Sequence, residues 1–202
     1  MTFRKMRIAL LRAVFIPLII FFMFITPSWK DNLTTELISE CFEVLGYLFL
    51  MAGLGLRIWA TLYIGKRKSR ELITDGPFSL CRNPLYLGTI IIVFGAGLAV
   101  VNPVMIFFTI LVYTPVHVLV ALAEERHLTK IFGRQYEEYR RSTPAFLPSL
   151  KKYHSREEIP VSTRAIKRVT MDAVLILMIP MVAELLEMLH TYHLMPVLWR
   201  FP

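Results

Sequence analysis

The chain has 202 residues, 55% of them hydrophobic, and a formal net charge of +8. This length gives one domain, and so apolar a composition, with its positive mean hydropathy, excludes an ordinary soluble fold of that size. Two cysteines exclude a disulfide framework.

The apolar residues come in long blocks. Residues 8–26 are interrupted only by Arg12, residues 44–64 only by Arg57, and residues 85–101 and 104–123 by no charge at all. Each block approaches the roughly 20 residues that a helix needs to cross the hydrocarbon. The pattern predicts four transmembrane helices. A fifth block, 173–183, is shorter, with Pro180 inside it and Glu184 and Glu187 just beyond; its length suits a re-entrant segment as well as a span. The first block has a basic start but runs into Thr26-Pro27-Ser28-Trp29 rather than a small-residue cleavage site, which predicts an uncleaved helix.

Charge sets the orientation. With the N-terminus cytoplasmic, Lys30 and Arg200 lie outside, and every other one of the 23 Lys and Arg residues lies inside or in a helix near the inner face. That is the positive-inside asymmetry. The basic residues flank helix ends, so they mark topology and do not point to a nucleic-acid partner. The same topology puts Cys41 near the outer surface and Cys81 in an inner loop, too far apart to pair.

The second helix carries Gly46, Gly53, Gly55 and Gly65, which predict a closely packed face. Arg57 either snorkels to the inner headgroups or anchors an anionic group of a substrate or cofactor. A polar cytoplasmic loop follows, with a turn at Gly76-Pro77. Pro84 then opens the third helix, where its missing N–H costs nothing, and Asn102-Pro103 makes a tight hairpin into the fourth. After Ala123 the pattern turns amphipathic: Leu128, Ile131, Phe132, Tyr136 and Tyr139 recur at helical spacing with basic residues on the other faces. Such a segment should lie along the membrane interface, bending at Gly133. Residues 151–168 read as a basic soluble connection in which Ser155-x-x-Glu158 is a capping-box pattern.

The fold class is therefore all-α: a polytopic helical bundle of four to five spans, with an interfacial cytoplasmic helix as its cap. Within the single membrane domain 1–202, residues 1–74 form an N-terminal two-helix region, 75–150 the core, and 151–202 the connection and last helix.

The hairpin brings Arg82, Tyr86, Glu124, Glu125, Tyr136 and Tyr139 into one cytoplasmic-side layer. Adjacent helical residues point about 100° apart, so one glutamate neutralises an arginine such as Arg82 and the other is free for a ligand. Ion pairing alone would also explain both glutamates, and interface anchoring would explain the tyrosines. Metal binding has little support, because His117, His127 and His154 are separated and His190 and His193 lack a third ligand.

These motifs together resemble the integral-membrane methyltransferases related to isoprenylcysteine carboxyl methyltransferase, with phospholipid methyltransferases as more distant relatives. The resemblance rests on Gly76-Pro77-Phe78, Arg82-Asn83-Pro84-x-Tyr86-x-Gly88, Gly95, Asn102-Pro103, Glu124-Glu125, Phe132-Gly133-x-x-Tyr136-x-x-Tyr139 and Pro148. It covers roughly residues 46–150, and the order of its elements is more specific than any one of them. The isoprenylcysteine enzymes have histidine in place of Asn83, glutamine in place of Gly97 and arginine in place of Val120, so the resemblance extends to the methyl donor rather than to the isoprenylcysteine acceptor.

What the resemblance implies is S-adenosylmethionine bound at the cytoplasmic side, S-adenosylhomocysteine as product, no metal, and a lipid or lipophilic acceptor entering from the bilayer. Its implied site comprises Arg82, Asn83, Pro84, Tyr86, Gly88, Gly95, Glu124, Glu125, Tyr136, Tyr139 and Arg140 around the donor, with Arg57 and Glu125 catalytic. The donor's sulfonium, ammonium and carboxylate suit aromatic faces, an acid and a base. Two rivals remain: a reductase like the membrane sterol reductases, and a non-enzymatic helical accessory subunit.

Overall fold

The computed structural model describes residues 25–27, 33–65, 71–192, 194 and 199–201; most of the predicted first span lies outside them. Six helices follow in order: α1 (Leu33–Ile64), the single turn α2 (Pro77–Leu80), α3 (Pro84–Ala99), α4 (Pro103–Phe132), α5 (Arg134–Ser142) and α6 (Thr163–Thr191). A three-residue parallel ladder between β1 (Ile25–Pro27) and β2 (Trp199–Phe201) joins the two ends of the chain. The all-helical bundle is as expected.

Among the described residues, three stretches are long and apolar enough to cross a membrane: Glu36–Ile64, Pro103–Phe132 and Thr163–Leu186; α3 is a shorter apolar helix. The fifth block is thus part of a continuous helix with Pro180 inside it. That helix starts earlier than the sequence pattern indicated. Residues 163–168 are helical, and the Ser162 carbonyl accepts from the N–H of Ala165 and Ile166, so the Ser155-x-x-Glu158 pattern does not cap it. Large apolar side chains stay exposed along α1 (Val44, Leu48, Met51), α4 (Phe107, Leu111, Leu119) and α6 (Val174, Leu175, Met181). In lipid that exposure carries no hydrophobic penalty.

α1 and α3 touch backbone to backbone. A Cβ on Gly46 would lie 2.2 Å from the Ala99 nitrogen, one on Gly53 2.8 Å from the Gly88 oxygen, and one on Gly95 2.7 Å from the Leu50 nitrogen. Small residues permit this approach, and the core of Leu50, Leu54, Ile92, Ala96 and Ala99 forms around it. Two of the four glycines do not belong to this face: open space surrounds Gly55, and Gly65, past the end of α1 at φ 27°, lies against Pro160 instead. Ala173 and Ile176 of α6 pack onto the same core.

The hairpin between α3 and α4 turns on Val101, whose φ is 51°, and on Asn102, whose side chain accepts from the Met105 N–H at 3.0 Å. α4 widens to a π-helix over Thr109–Tyr113, just before Pro115. Proline has no N–H for the carbonyl four residues back and its ring crowds it; the wider turn relieves both. Gly133, at φ 52°, separates α4 from α5 at the predicted bend. The chain then returns across the loop before α3: Arg82 N–H donates to Pro144 O (2.9 Å), Asn83 N–H to Ala145 O (3.1 Å) and Ser149 N–H to Leu80 O (3.0 Å).

Candidate active site

Each half of the polar layer comes from one end of the α3–α4 hairpin. The Arg82 guanidinium grips Glu125 in a fork, Nε to Oε1 at 3.0 Å and Nη2 to Oε2 at 3.1 Å. Its Nη1 donates to the carbonyls of Arg140 (2.8 Å) and Thr143 (2.7 Å). Asn83 Nδ2 donates to Glu125 Oε1 at 2.7 Å and to Ala145 O at 3.2 Å. Glu125 is only 5% exposed. Its charge is therefore matched by a bidentate cation and an amide, the arrangement that makes a buried carboxylate tolerable.

Glu124 points elsewhere. It is exposed and accepts a short hydrogen bond from the Tyr86 hydroxyl. Of the two glutamates, Glu125 is the one that neutralises Arg82, and Glu124 is the one left exposed. Tyr136 is buried to 1% exposure, edge-on to Tyr139 with ring centroids 5.9 Å apart. The Tyr139 hydroxyl donates to the Phe78 carbonyl at 2.7 Å, which ties α5 to α2. Burial pushes the Tyr136 phenol up to about 12, with Glu125 adding to the shift. Burial likewise pushes the Cys81 thiol up to about 11, so this cysteine is inert.

A cavity of about 330 Å³ opens over this layer, within the lower range of small-ligand sites. Among its walls are Arg82, Asn83, Pro84, Tyr86, Glu124, Tyr136 and Tyr139. Five residues of the expected site are not among them. Glu125 lies beneath, holding Arg82 and Asn83. Gly88 and Gly95 belong to the α1–α3 contact, where a Cβ on Gly88 would lie 2.9 Å from the Gly53 oxygen. Arg140 reaches the site with its carbonyl while its side chain is exposed. Arg57 is placed apart from these walls, its Nη1 donating to Thr89 Oγ1 at 2.7 Å and its Nη2 3.5 Å from Asp172 Oδ2.

The cavity also has walls outside the expected site: Phe78 and Phe132, which stand in the quoted motifs, and Ile64, Glu71, Leu72, His127, Leu128 and Ile131. Leu128, Ile131 and Phe132 were legible as an apolar stripe, but the stripe does not say whether lipid or a ligand covers it. Among the described residues no group of three His, Cys, Asp or Glu side chains could hold a metal ion.

The phospholipid methyltransferase family model matches residues 42–135, the segment that builds this hairpin. The chain is 31% identical over 153 residues to the cobalt-zinc-cadmium resistance protein CzcN of Cupriavidus metallidurans, covering 76% of this chain and 70% of that one. It is 32% identical over 162 residues to the nickel-cobalt-cadmium resistance protein NccN of Alcaligenes xylosoxydans xylosoxydans, covering 80% and 73%. It is 31% identical over 86 residues to protein-S-isoprenylcysteine O-methyltransferase B of Arabidopsis thaliana, covering 42% and 43%. No solved structure matches it. The chain is an integral membrane protein and belongs to the phospholipid methyltransferase family.

Proposed function

We propose that this protein is an S-adenosylmethionine-dependent methyltransferase acting on a lipid or other lipophilic acceptor at the cytoplasmic face. The observation that carries the reading is the cavity whose walls combine the Glu124–Tyr86 pair with Tyr136 and Tyr139, directly over the Arg82–Glu125 fork.

The walls fit the donor's chemistry. Glu124 offers a carboxylate to an ammonium, and His127, three residues on and so on the same helix face, offers its imidazole to a carboxylate. Phe78, Phe132 and the tyrosines offer aromatic faces to a cation and to a flat base. When bound, S-adenosylmethionine supplies an electrophilic methyl group on a positively charged sulfur. The protein's part is to hold the reacting atoms in line and exclude water. Arg82, Asn83 and Glu125 act here as positioning residues: their hydrogen bonds fix the loop before α3 against the return segment after α5, and so fix both sides of the cavity.

The test is calorimetric titration of the purified protein in detergent with S-adenosylhomocysteine. Saturable binding is expected, weakened about tenfold or more by Glu124→Gln, the loss of one charge-assisted contact of roughly 1.5–3 kcal/mol. A wild-type protein that binds neither the donor nor its product overturns the reading.

A further inference from the structure

A second polar group lies deeper in the bundle, inside the membrane-spanning stretches of α1 and α6. Arg57 Nη1 donates to Thr89 Oγ1 at 2.7 Å, and Nη2 lies 3.5 Å from Asp172 Oδ2. Thr89 is three residues beyond Tyr86 on α3, hence on the same face and about 4.5 Å deeper along the axis. The Arg57 group thus lies one helical turn along α3 from Tyr86, a wall of the cavity, without itself lining it. An acceptor entering from the bilayer toward the cavity would meet it first.

A cross-link whose task is to hold α6 would be expected to be tight and closed. This one is neither. Its separation exceeds the 2.7–2.9 Å of a charge-assisted bond, and the side chains remain 31% and 41% exposed. Among the described residues, Arg57 directs only two of its five N–H groups to protein partners, and Asp172 makes only the one long contact. α6 is already held by Ala173 and Ile176 on the core. A charge pair inside a span with so much unused bonding capacity marks a ligand site.

Resting on the methyltransferase reading above, we propose that Arg57, Thr89 and Asp172 form the acceptor subsite, and that the acceptor reacts as an anion: a thiol or carboxylic acid on a lipophilic body. Asp172 takes the proton from the acid X–H, and Arg57 holds X⁻, its guanidinium oriented by Thr89, whose own hydroxyl proton goes to the Leu85 carbonyl at 2.8 Å. A lone pair on X forms the X–CH₃ bond while the carbon–sulfur bond breaks and its electron pair stays on sulfur, turning the sulfonium into a neutral sulfide. The proton on Asp172 leaves to solvent. Attack by an anion on a sulfonium destroys two charges, and a low-dielectric site favours that. Attack by a neutral amine conserves charge and gains nothing from Arg57.

The experiment uses the full chain in nanodiscs, with empty nanodiscs subtracted, and decanoic acid, 1-decanethiol and decylamine as probes. Two quantities are read: probe binding to donor-free protein by calorimetry, and label transfer from methyl-labelled S-adenosylmethionine. Wild type is expected to bind and methylate the acid or the thiol, the one favoured showing which atom accepts, and to leave the amine unlabelled. Arg57→Gln and Asp172→Asn are expected to lower label transfer at least tenfold. Arg57→Gln should also weaken probe binding about tenfold, while S-adenosylhomocysteine affinity and thermal midpoint stay within twofold and a few degrees of wild type.

The double variant Arg57→Gln/Asp172→Asn, free of any unpaired charge, separates loss of the subsite from loss of folding. If it folds and still transfers label at the wild-type rate, the proposal is overturned. So is it if wild type binds the donor product yet labels only the amine or none of the three probes. Failure of wild type to bind the donor product overturns the methyltransferase reading itself, and the subsite with it.

Discussion

Arg82 and Glu125, at opposite ends of a helical hairpin, meet in a two-pronged ion pair of 3.0 and 3.1 Å, with side chains only 10% and 6% exposed. The pair joins the loop entering α3 to the end of α4, and through Arg82 Nη1 it also gathers the carbonyls of Arg140 and Thr143. Every wall of the cavity supplied by α3, α4 and α5 depends on that junction.

Removing one partner should therefore cost more than removing both. Glu125→Ala leaves a buried guanidinium unpaired, and a loss of about 3–5 kcal/mol is expected. Arg82→Met combined with Glu125→Leu should recover most of it. Denaturation in detergent followed by tryptophan fluorescence measures both; equal losses in the single and double variants would refute the coupling.

The α1–α3 contact discriminates sharply between glycines of one helix. Gly53→Ala drives a Cβ to 2.8 Å from the Gly88 oxygen, whereas Gly55→Ala meets nothing within 4 Å. The first should destabilise by about 1–3 kcal/mol, and the second should be neutral or slightly stabilising, since alanine is the better helix former. Thermal midpoints of the two variants decide it.

Glu124 and Glu125 should separate in function as they do in position. Glu124→Gln and Tyr86→Phe are expected to weaken S-adenosylhomocysteine binding about tenfold, the size of one charge-assisted hydrogen bond, with the thermal midpoint unchanged. Glu125→Gln should lower the midpoint as well as the affinity. A Glu125→Gln variant as stable as wild type would contradict this division.

Alkaline pH should loosen the cap. Burial raises the Cys81 thiol from 9.0 to about 11, and burial with the nearby Glu125 raises the Tyr136 phenol from 10.0 to about 12; burial raises Tyr139 as well. Each group holds its proton more tightly folded than unfolded, so its contribution is complete below the unfolded value and declines as pH climbs to the folded one. Stability should fall from pH 9 to 12. Replacing Cys81 by Ser should remove the early part of that fall, and Tyr136→Phe the later part, in thermal melts across the range.

Much of this protein was legible without coordinates. The all-helical class, the hairpin at Asn102-Pro103, the bend at Gly133 and the pairing of Arg82 with one of two adjacent glutamates all follow from local rules. They depend on run length, on proline and glycine geometry, and on the roughly 100° turn between neighbouring residues. The placement of Gly88 and Gly95 was not legible. A glycine in a motif reads the same whether a ligand or another helix needs the space, and only the approach of Gly53 and Leu50 separates the two cases.

By itself the sequence determined that the chain lives in a membrane, where its hairpin turns and its cap bends, and which polar residues share a layer, because these follow from hydropathy and periodicity along one strand of chain. The tertiary structure alone decided that Glu124 faces the cavity while Glu125 is sealed beneath it, and that Arg57 finds Asp172 on the last helix. Those outcomes depend on the rotation of each helix about its axis and on partners distant in sequence. Both are set by close packing across the bundle, which no local pattern encodes.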